Sequence, residues 1–227
     1  MKIAEIFYSI QGEGVLLGVP SVFVRTSGCN LRCTWCDTPY TSWQPEGRNM
    51  AIEDVASEVA QFPASHVVVT GGEPMISPAI VELTNTLRQA GLHITVETAG
   101  TFFAAVACDL MSISPKLSNS TPRDRDGGRW AAQHDRLRYQ PDVLKRLTAE
   151  YAYQLKFVVS VKGDLEEIEQ MTAELRAPRD RVVLMPEGID PDVLRERGMW
   201  LAEICKATGY RYSPRLHVDL WGDKRGV

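Results

Sequence analysis

Within the eleven residues GCNLRCTWCDT lie three thiols, Cys29, Cys33 and Cys36, spaced C-x3-C-x2-C. Thiolates are the natural ligands of soft metals and of iron–sulfur clusters. Three of them on one short loop can hold three corners of a four-iron cubane. The fourth iron then lacks a protein ligand from that loop and stays open to a small molecule. An electron-carrier cluster uses four cysteines, so the absent fourth is the informative feature. A structural zinc loop is the competing reading, but zinc usually takes four ligands, often in paired motifs. The remaining cysteines, Cys108 and Cys205, stand alone and read as small apolar residues.

A second constellation is Thr70-Gly71-Gly72-Glu73-Pro74. Two glycines let backbone approach a ligand closely, and exposed carbonyls there can accept from an ammonium group. Glu73 adds a negative charge, and Pro74 stiffens the exit. Other polar residues could act nearby. Gln11 carries both a donor and an acceptor, and Glu13 can accept. Arg25, on an apolar run before the cysteines, needs an anion: either a ligand carboxylate held bidentately or a structural salt bridge. Trp35, between two of the thiols, suits packing, covering a cluster or stacking on a base. Taken alone, Thr38 reads as a turn residue. His66, His93 and His134 read as structural.

These residues must be held by regular elements. Strands are expected at Ile3–Tyr8, Ser21–Thr26, His66–Thr70, His93–Glu97, Leu110–Ser114, Gln154–Val159, Arg181–Met185 and near Tyr210–Tyr212, several apolar almost throughout. Helical periodicity covers Ile52–Phe62, Pro78–Ala90, Asp164–Leu175 and Asp190–Thr208, with Ser77 placed to cap the second and Gly91 to stop it. Alternating strand and helix implies an α/β fold of parallel strands with right-handed crossovers. With about six core strands, an open, partial α/β barrel is expected, its site at the carboxyl ends of the strands. Both motifs follow strands there. Residues 116–142, rich in charge, suggest a mobile loop or lid within an otherwise single domain, 1–227.

Composition bounds the function. The chain has 227 residues, 44% hydrophobic, and a net charge of -4 without a long basic run. That disfavours nucleic-acid and anionic-membrane partners. Neither a signal-peptide core nor an apolar stretch of about 20 residues is visible. Five cysteines, three of them clustered, do not form a disulfide framework, so a reducing cytoplasm is the expected setting.

Together, the cysteine loop and the Gly-Gly-Glu-Pro turn resemble the radical S-adenosylmethionine superfamily. Finer motifs resemble the 7-carboxy-7-deazaguanine synthases of queuosine and deazapurine biosynthesis. They are Ile10-Gln11-Gly12-Glu13-Gly14, Gly18-Val19-Pro20, Arg25, Cys36-Asp37-Thr38, Glu97-Thr98-Ala99-Gly100-Thr101, Ser114-Pro115-Lys116 and Leu216-His217-Val218-Asp219-Leu220-Trp221-Gly222. The resemblance implies a [4Fe-4S] cluster on Cys29, Cys33 and Cys36, S-adenosylmethionine as cofactor, and a radical lyase converting 6-carboxy-5,6,7,8-tetrahydropterin to 7-carboxy-7-deazaguanine with loss of ammonia. It implies substrate contacts from Ile10, Gln11, Gly12, Glu13, Arg25, Thr70 and His217. It places the cofactor against Gly72, Glu73, Glu97 (its ribose hydroxyls), Ser114, Pro115, Lys116 and the Gln154 segment. Magnesium would sit on Thr38. A flavodoxin- or ferredoxin-type electron donor and a homodimer are also implied; no side chain is assigned as a catalytic acid or base. A glycyl-radical-enzyme activase and a non-catalytic zinc or iron–sulfur module are the alternatives.

Overall fold

The computed structural model describes all 227 residues. The strands are β1 (Lys2–Ile10), β2 (Pro20–Thr26), β3 (Arg48–Asn49), β4 (His66–Gly71), β5 (His93–Thr98), β6 (Leu110–Ile113), β7 (Tyr153–Val159), β8 (Val182–Pro186) and β9 (Arg211–Tyr212). They form one sheet in the order β3-β1-β2-β4-β5-β6-β7-β8-β9, with its ends unpaired. From β2 onward every neighbouring pair is parallel. This is the expected open α/β arrangement, with the six strands β2 and β4–β8 at its centre.

β1 departs from the parallel expectation. It runs antiparallel to β2, as β3 does to β1. The connection Gln11–Val19 is too short for the crossover of a dozen or more residues that a parallel partner needs. It instead turns back on itself, with Gln11 N–H donating to Val19 O at 2.8 Å and Gly18 N–H to Gln11 O at 2.7 Å.

The helices are α1 (Pro39–Ser42), α2 (Ile52–Val59), α3 (Ile80–Gln89), α4 (Ala131–Leu137), α5 (Pro141–Glu150), α6 (Asp164–Leu175), α7 (Pro191–Thr208) and α8 (Leu216–Trp221). α2, α3, α5, α6 and α7 bury apolar stripes in one core that also takes the inner residues of β1, β2 and β4–β8. Gly91 ends α3 as expected, through Gly91 N–H to Arg88 O at 2.9 Å and Leu92 N–H to Leu87 O at 3.4 Å. Ser77 does not cap it: the helix starts two residues later, after Ala79, and Ser77 contributes only its carbonyl to Ile80 N–H at 3.1 Å. α7, in contrast, is capped by Asp190, whose carboxylate accepts from the N–H groups of Asp192 and Val193.

Residues 116–142 are where sequence and structure differ most. Where a mobile loop or lid was expected there are 3-10 turns at Ser118–Ser120 and Arg125–Gly128, all of α4, and the start of α5. Charge hid two helices. In α5, Pro141 sits at the first helical position and Leu144 and Leu147 are fully buried, each worth about 1.5–3 kcal/mol of burial.

Candidate active site

Parallel pairing aligns the two motifs. Arg25 is the register partner of Thr70 and Thr26 of Gly71, so the cysteine loop and the glycine turn leave the sheet side by side. Register carries on across the sheet from Glu97 to Ser112 to Gln154. A cavity of about 560 Å³ opens at these carboxyl ends, within the usual size of small-molecule sites.

Cys29, Cys33 and Cys36 all line it. Their loop is held at many backbone points. Gly28 N–H donates to Thr41 O at 2.8 Å, Thr34 N–H to Ser120 O at 2.8 Å and Trp43 Nε1 to Cys33 O at 3.0 Å. Arg32 reaches the carbonyls of Cys29 and Leu31 at 2.7 and 2.8 Å. Arg32 N–H donates to His134 Nδ1 at 3.1 Å, which leaves the proton on Nε2, 2.9 Å from Ser120 Oγ. Burial lowers the His134 pKa to about 4, so the ring stays neutral in this role. His134 is structural, as expected, and residues 116–137 clasp the cysteine loop from outside. Burial pushes the Cys29 thiol up to about 12, with nearby Glu73 adding to the effect. Cluster loading must therefore drive protons off these thiols.

No three His, Cys, Asp or Glu side chains converge as a mononuclear metal site requires. Thiols that each bind a separate iron need not converge so closely. Three cysteines facing one roomy cavity fit the three protein-held corners of a cubane. Cys108 and Cys205 lie away from the cavity, against the main core.

The glycine turn lies against the cysteine loop. Glu73 N–H donates to Gly28 O at 2.9 Å, and a Cβ on Gly72 would overlap the Gly28 carbonyl. Gly71 and Gly72 line the cavity; Glu73 does not. Its side chain is turned inward at 1% exposure and accepts from Thr98 Oγ1 (2.7 Å), Ala99 N–H (2.8 Å) and Met75 N–H (3.1 Å). Glu73 therefore pins the turn to β5, and the glycine backbone is what faces a ligand. Pro115 also lies outside the cavity, while Ser114 and Lys116 line it, with Lys116 Nζ 2.8 Å from Ser114 Oγ and 5.8 Å from the Trp35 ring centre.

The other wall is a charged network. Glu13 lies between Lys156 and Arg215, with Arg215 Nε 3.1 Å from its Oε1. Burial alone would raise the Glu13 carboxyl, but Lys156 and Arg215 outweigh it and hold it far below the usual range. Arg215 also pairs with Asp37, donates to Gly188 O at 2.6 Å, and is only 8% exposed. Glu97 lines the cavity, and its oxygens are already engaged by protein groups. They accept from Thr70 Oγ1 (2.7 Å) and Gln11 Nε2 (3.3 Å), with Lys156 Nζ at 3.9 Å. Gln11 Oε1 in turn accepts from Glu13 N–H at 3.2 Å. His217 lines the cavity and packs so closely on Gly12 that a Cβ there would strike its ring. Burial lowers the His217 pKa, so it is neutral near pH 7.

Of the expected site residues, Ile10, Gln11, Gly12, Glu13, Arg25, Thr38, Thr70, Gly72, Glu97, Ser114, Lys116 and His217 line one cavity with the three cysteines. Gln154 is buried beneath it, accepting from Val15 N–H at 2.9 Å and donating to Ser112 Oγ at 2.8 Å. Two residues further along β7, on the same face, Lys156 reaches the cavity instead. A lysine within the apolar run Leu155–Val159 was the signal for it, since a buried ammonium needs a carboxylate. Lys156 belongs to the segment Gln154–Phe157 expected against the cofactor, whereas Asp37, Glu5 and Arg215 were not expected in the site; nothing local to Arg215 marks it.

Comparison with known proteins agrees with this geometry. The profile of the Radical SAM superfamily matches residues 23–118. The 7-carboxy-7-deazaguanine synthase of Halobacterium salinarum is 47% identical, with 98% of this chain and 91% of that protein aligned. That of Rhodopirellula baltica is also 47% identical, over 100% and 89%. Among solved structures, the crystal structure of QueE from Escherichia coli superposes with a TM-score of 0.69 at 28% identity, covering 95% of this chain and 94% of that one. Streptococcus suis SuiB bound to the precursor peptide SuiA, at 14% identity and a TM-score of 0.58 over 85% of this chain and 47% of that one, shares the fold alone. The activase and zinc-module alternatives give way: the cysteine loop, the glycine turn and the full-length likeness establish that this chain belongs to the 7-carboxy-7-deazaguanine synthase family of radical S-adenosylmethionine enzymes.

Proposed function

We propose that the chain converts 6-carboxy-5,6,7,8-tetrahydropterin to 7-carboxy-7-deazaguanine with loss of ammonia. The observation that carries this is a cavity joining a three-cysteine loop to Gln11, Glu13 and Arg25, a set suited to a small anionic heterocycle. The bound [4Fe-4S] cluster and S-adenosylmethionine supply a hydrogen-abstracting carbon radical, which is the cofactors' own chemistry. The protein binds, orients and excludes water. Cys29, Cys33 and Cys36 hold the cluster. The Gly72 backbone, Ser114 and Lys116 hold the cofactor, while Glu73, Pro115 and Gln154 support their elements from behind. Gln11 and Glu13 present an amide and a carboxylate to the amide-like and amino edge of the pterin. Lys156 and Arg215 keep Glu13 ionised for that role, and Glu97 aligns Gln11 with Thr70. Neutral His217 adds a further donor or acceptor.

Arg25 faces the substrate carboxylate. Its Nε is taken by Glu5 at 2.7 Å, and its two terminal nitrogens make no protein hydrogen bond. They are the paired donors of a bidentate fork. Thr38 offers a hydroxyl oxygen to a magnesium ion that also takes substrate oxygens. A flavodoxin- or ferredoxin-type protein supplies the electron, and the functional unit is a homodimer in the cytoplasm. No helix is long and apolar enough to cross a membrane.

The test is anaerobic turnover. Protein reconstituted with iron and sulfide, given S-adenosylmethionine, magnesium, a reductant and the carboxy-pterin, should release the deazaguanine and ammonia in equal amounts. Cys33→Ala should lose cluster and product together, and Cys108→Ala neither. A full cluster with cofactor cleavage but no deazaguanine would reject the assignment.

A further inference from the structure

The C-terminal tail runs along the mouth of the cavity, and Gly222–Val227 line it. One side chain of that tail reaches β1, the strand paired with the one that carries Arg25. Glu5 on β1 is the register partner of Arg25 on β2. Its Oε1 accepts from Arg25 Nε at 2.7 Å and from Tyr40 Oη at 2.8 Å. Its Oε2 accepts from Arg225 Nε at 3.0 Å. The Arg225 guanidinium lies 3.9 Å from the centre of the Tyr40 ring and reaches Glu46 at 3.1 Å.

The charge balance is the point. Glu5 orients the Arg25 fork, yet by itself it would cancel the positive charge that a carboxylate ligand is drawn to. Both are mostly buried, with side chains 17% and 14% exposed for Arg25 and Glu5. A second cation on the opposite oxygen of Glu5 restores a net positive charge to the group. Glu46 offsets part of it; its side chain is 57% exposed and that of Arg225 45%, so water screens both and the balance that reaches Arg25 is small.

We propose that Arg225 is a specificity-determining residue: by taking up the charge of Glu5 it leaves Arg25 free to select a substrate that carries a carboxylate. This rests on the reading of Arg25 given above. Arg225 does not touch the ligand in this scheme; it acts through Glu5.

The experiment is anaerobic titration of cluster-loaded protein with the carboxy-pterin and with the same pterin lacking the carboxylate. Arg225→Ala should weaken the carboxy-pterin up to about fivefold, the upper range for a partly exposed pair. The other pterin should be unaffected, and added salt should shrink the difference between wild type and variant. Arg225→Lys should keep most of the selectivity. Glu5→Gln retains an oxygen for Arg25 and Tyr40 but removes the charge, so Glu5→Gln combined with Arg225→Ala should recover selectivity to within about twofold of wild type. A tail that merely latches the cavity shut predicts equal loss for both pterins and no rescue, and that result overturns the proposal. Arg25→Ala separates the two readings. If selectivity for the carboxylate survives Arg25→Ala, the reading of Arg25 fails and this one with it. If Arg25→Ala abolishes selectivity while Arg225→Ala leaves it intact, only the Arg225 proposal fails.

Discussion

One methyl group at Gly72 tests whether the glycine turn and the cysteine loop work as one unit. A Cβ at this position would overlap the Gly28 carbonyl, lying 2.7 Å from its carbon, and would sit 2.8 Å from Thr41 O. Carbon contacts settle near 3.5–4.0 Å, so the two segments must part by about 1 Å. Both obstacles are backbone, and neither can rotate away. They are tied to each other by Gly28 N–H to Thr41 O at 2.8 Å, and to the turn by Glu73 N–H to Gly28 O at 2.9 Å. Overpacking of this kind costs about 1–3 kcal/mol, a fall in Tm of roughly 2–12 °C for a chain of this size. The functional cost should be larger. Cysteine spacing is untouched, so iron content should persist, but a misplacement of about 1 Å between cofactor and reacting atoms can cost about 100-fold. The assay is cofactor cleavage with a chemical reductant, read beside iron content and Tm. Gly163→Ala is the control, because nothing lies within 4 Å of its Cβ and its backbone is already helical. Wild-type cleavage by Gly72→Ala at full iron content would refute the idea that the turn's close approach positions the cofactor.

Other consequences follow from the polar wall. Thr38→Ala removes an oxygen ligand without touching a thiol, so turnover should lose its magnesium response or change metal preference while cofactor cleavage without substrate persists; an unchanged magnesium titration would sink that assignment. Arg215→Met leaves Glu13 and Asp37 without their shared cation. A buried pair broken on one side costs about 3–5 kcal/mol, somewhat less here because Asp37 is 41% exposed. The pH dependence carries a sign. The Glu13 carboxyl is depressed in the fold, so its contribution is fully present above its ordinary value of 4.5 and fades as pH falls below it. Arg215→Met should therefore flatten the acid limb of the stability–pH curve between about pH 5 and 2, measured by thermal unfolding across pH. A parallel shift of the whole curve would mean that the arginine contributes packing alone.

What the sequence determined on its own was local. The spacing Cys29, Cys33, Cys36 states a cluster before any coordinates, because ligand chemistry depends on three residues in one loop. Apolar runs such as Val67–Val69 and Leu155–Val159 state buried strands, because burial on both faces leaves its mark within a single segment. Their alternation with helices states a parallel sheet, and thereby which strand ends hold the site. The tertiary structure decided the rest through partners distant in the chain. Arg215 meets Glu13 across 202 positions and Arg225 meets Glu5 across 220, so neither pairing leaves any local periodicity. The direction of β1 depended on how far Gln11–Val19 could reach. The family resemblance implies Glu73 against the cofactor, yet Thr98, Ala99 and Met75 turn its carboxylate into the fold and leave the cavity to the glycine backbone. A buried charge goes where its counter-charge and donors are, and their place is fixed only when the strands have paired.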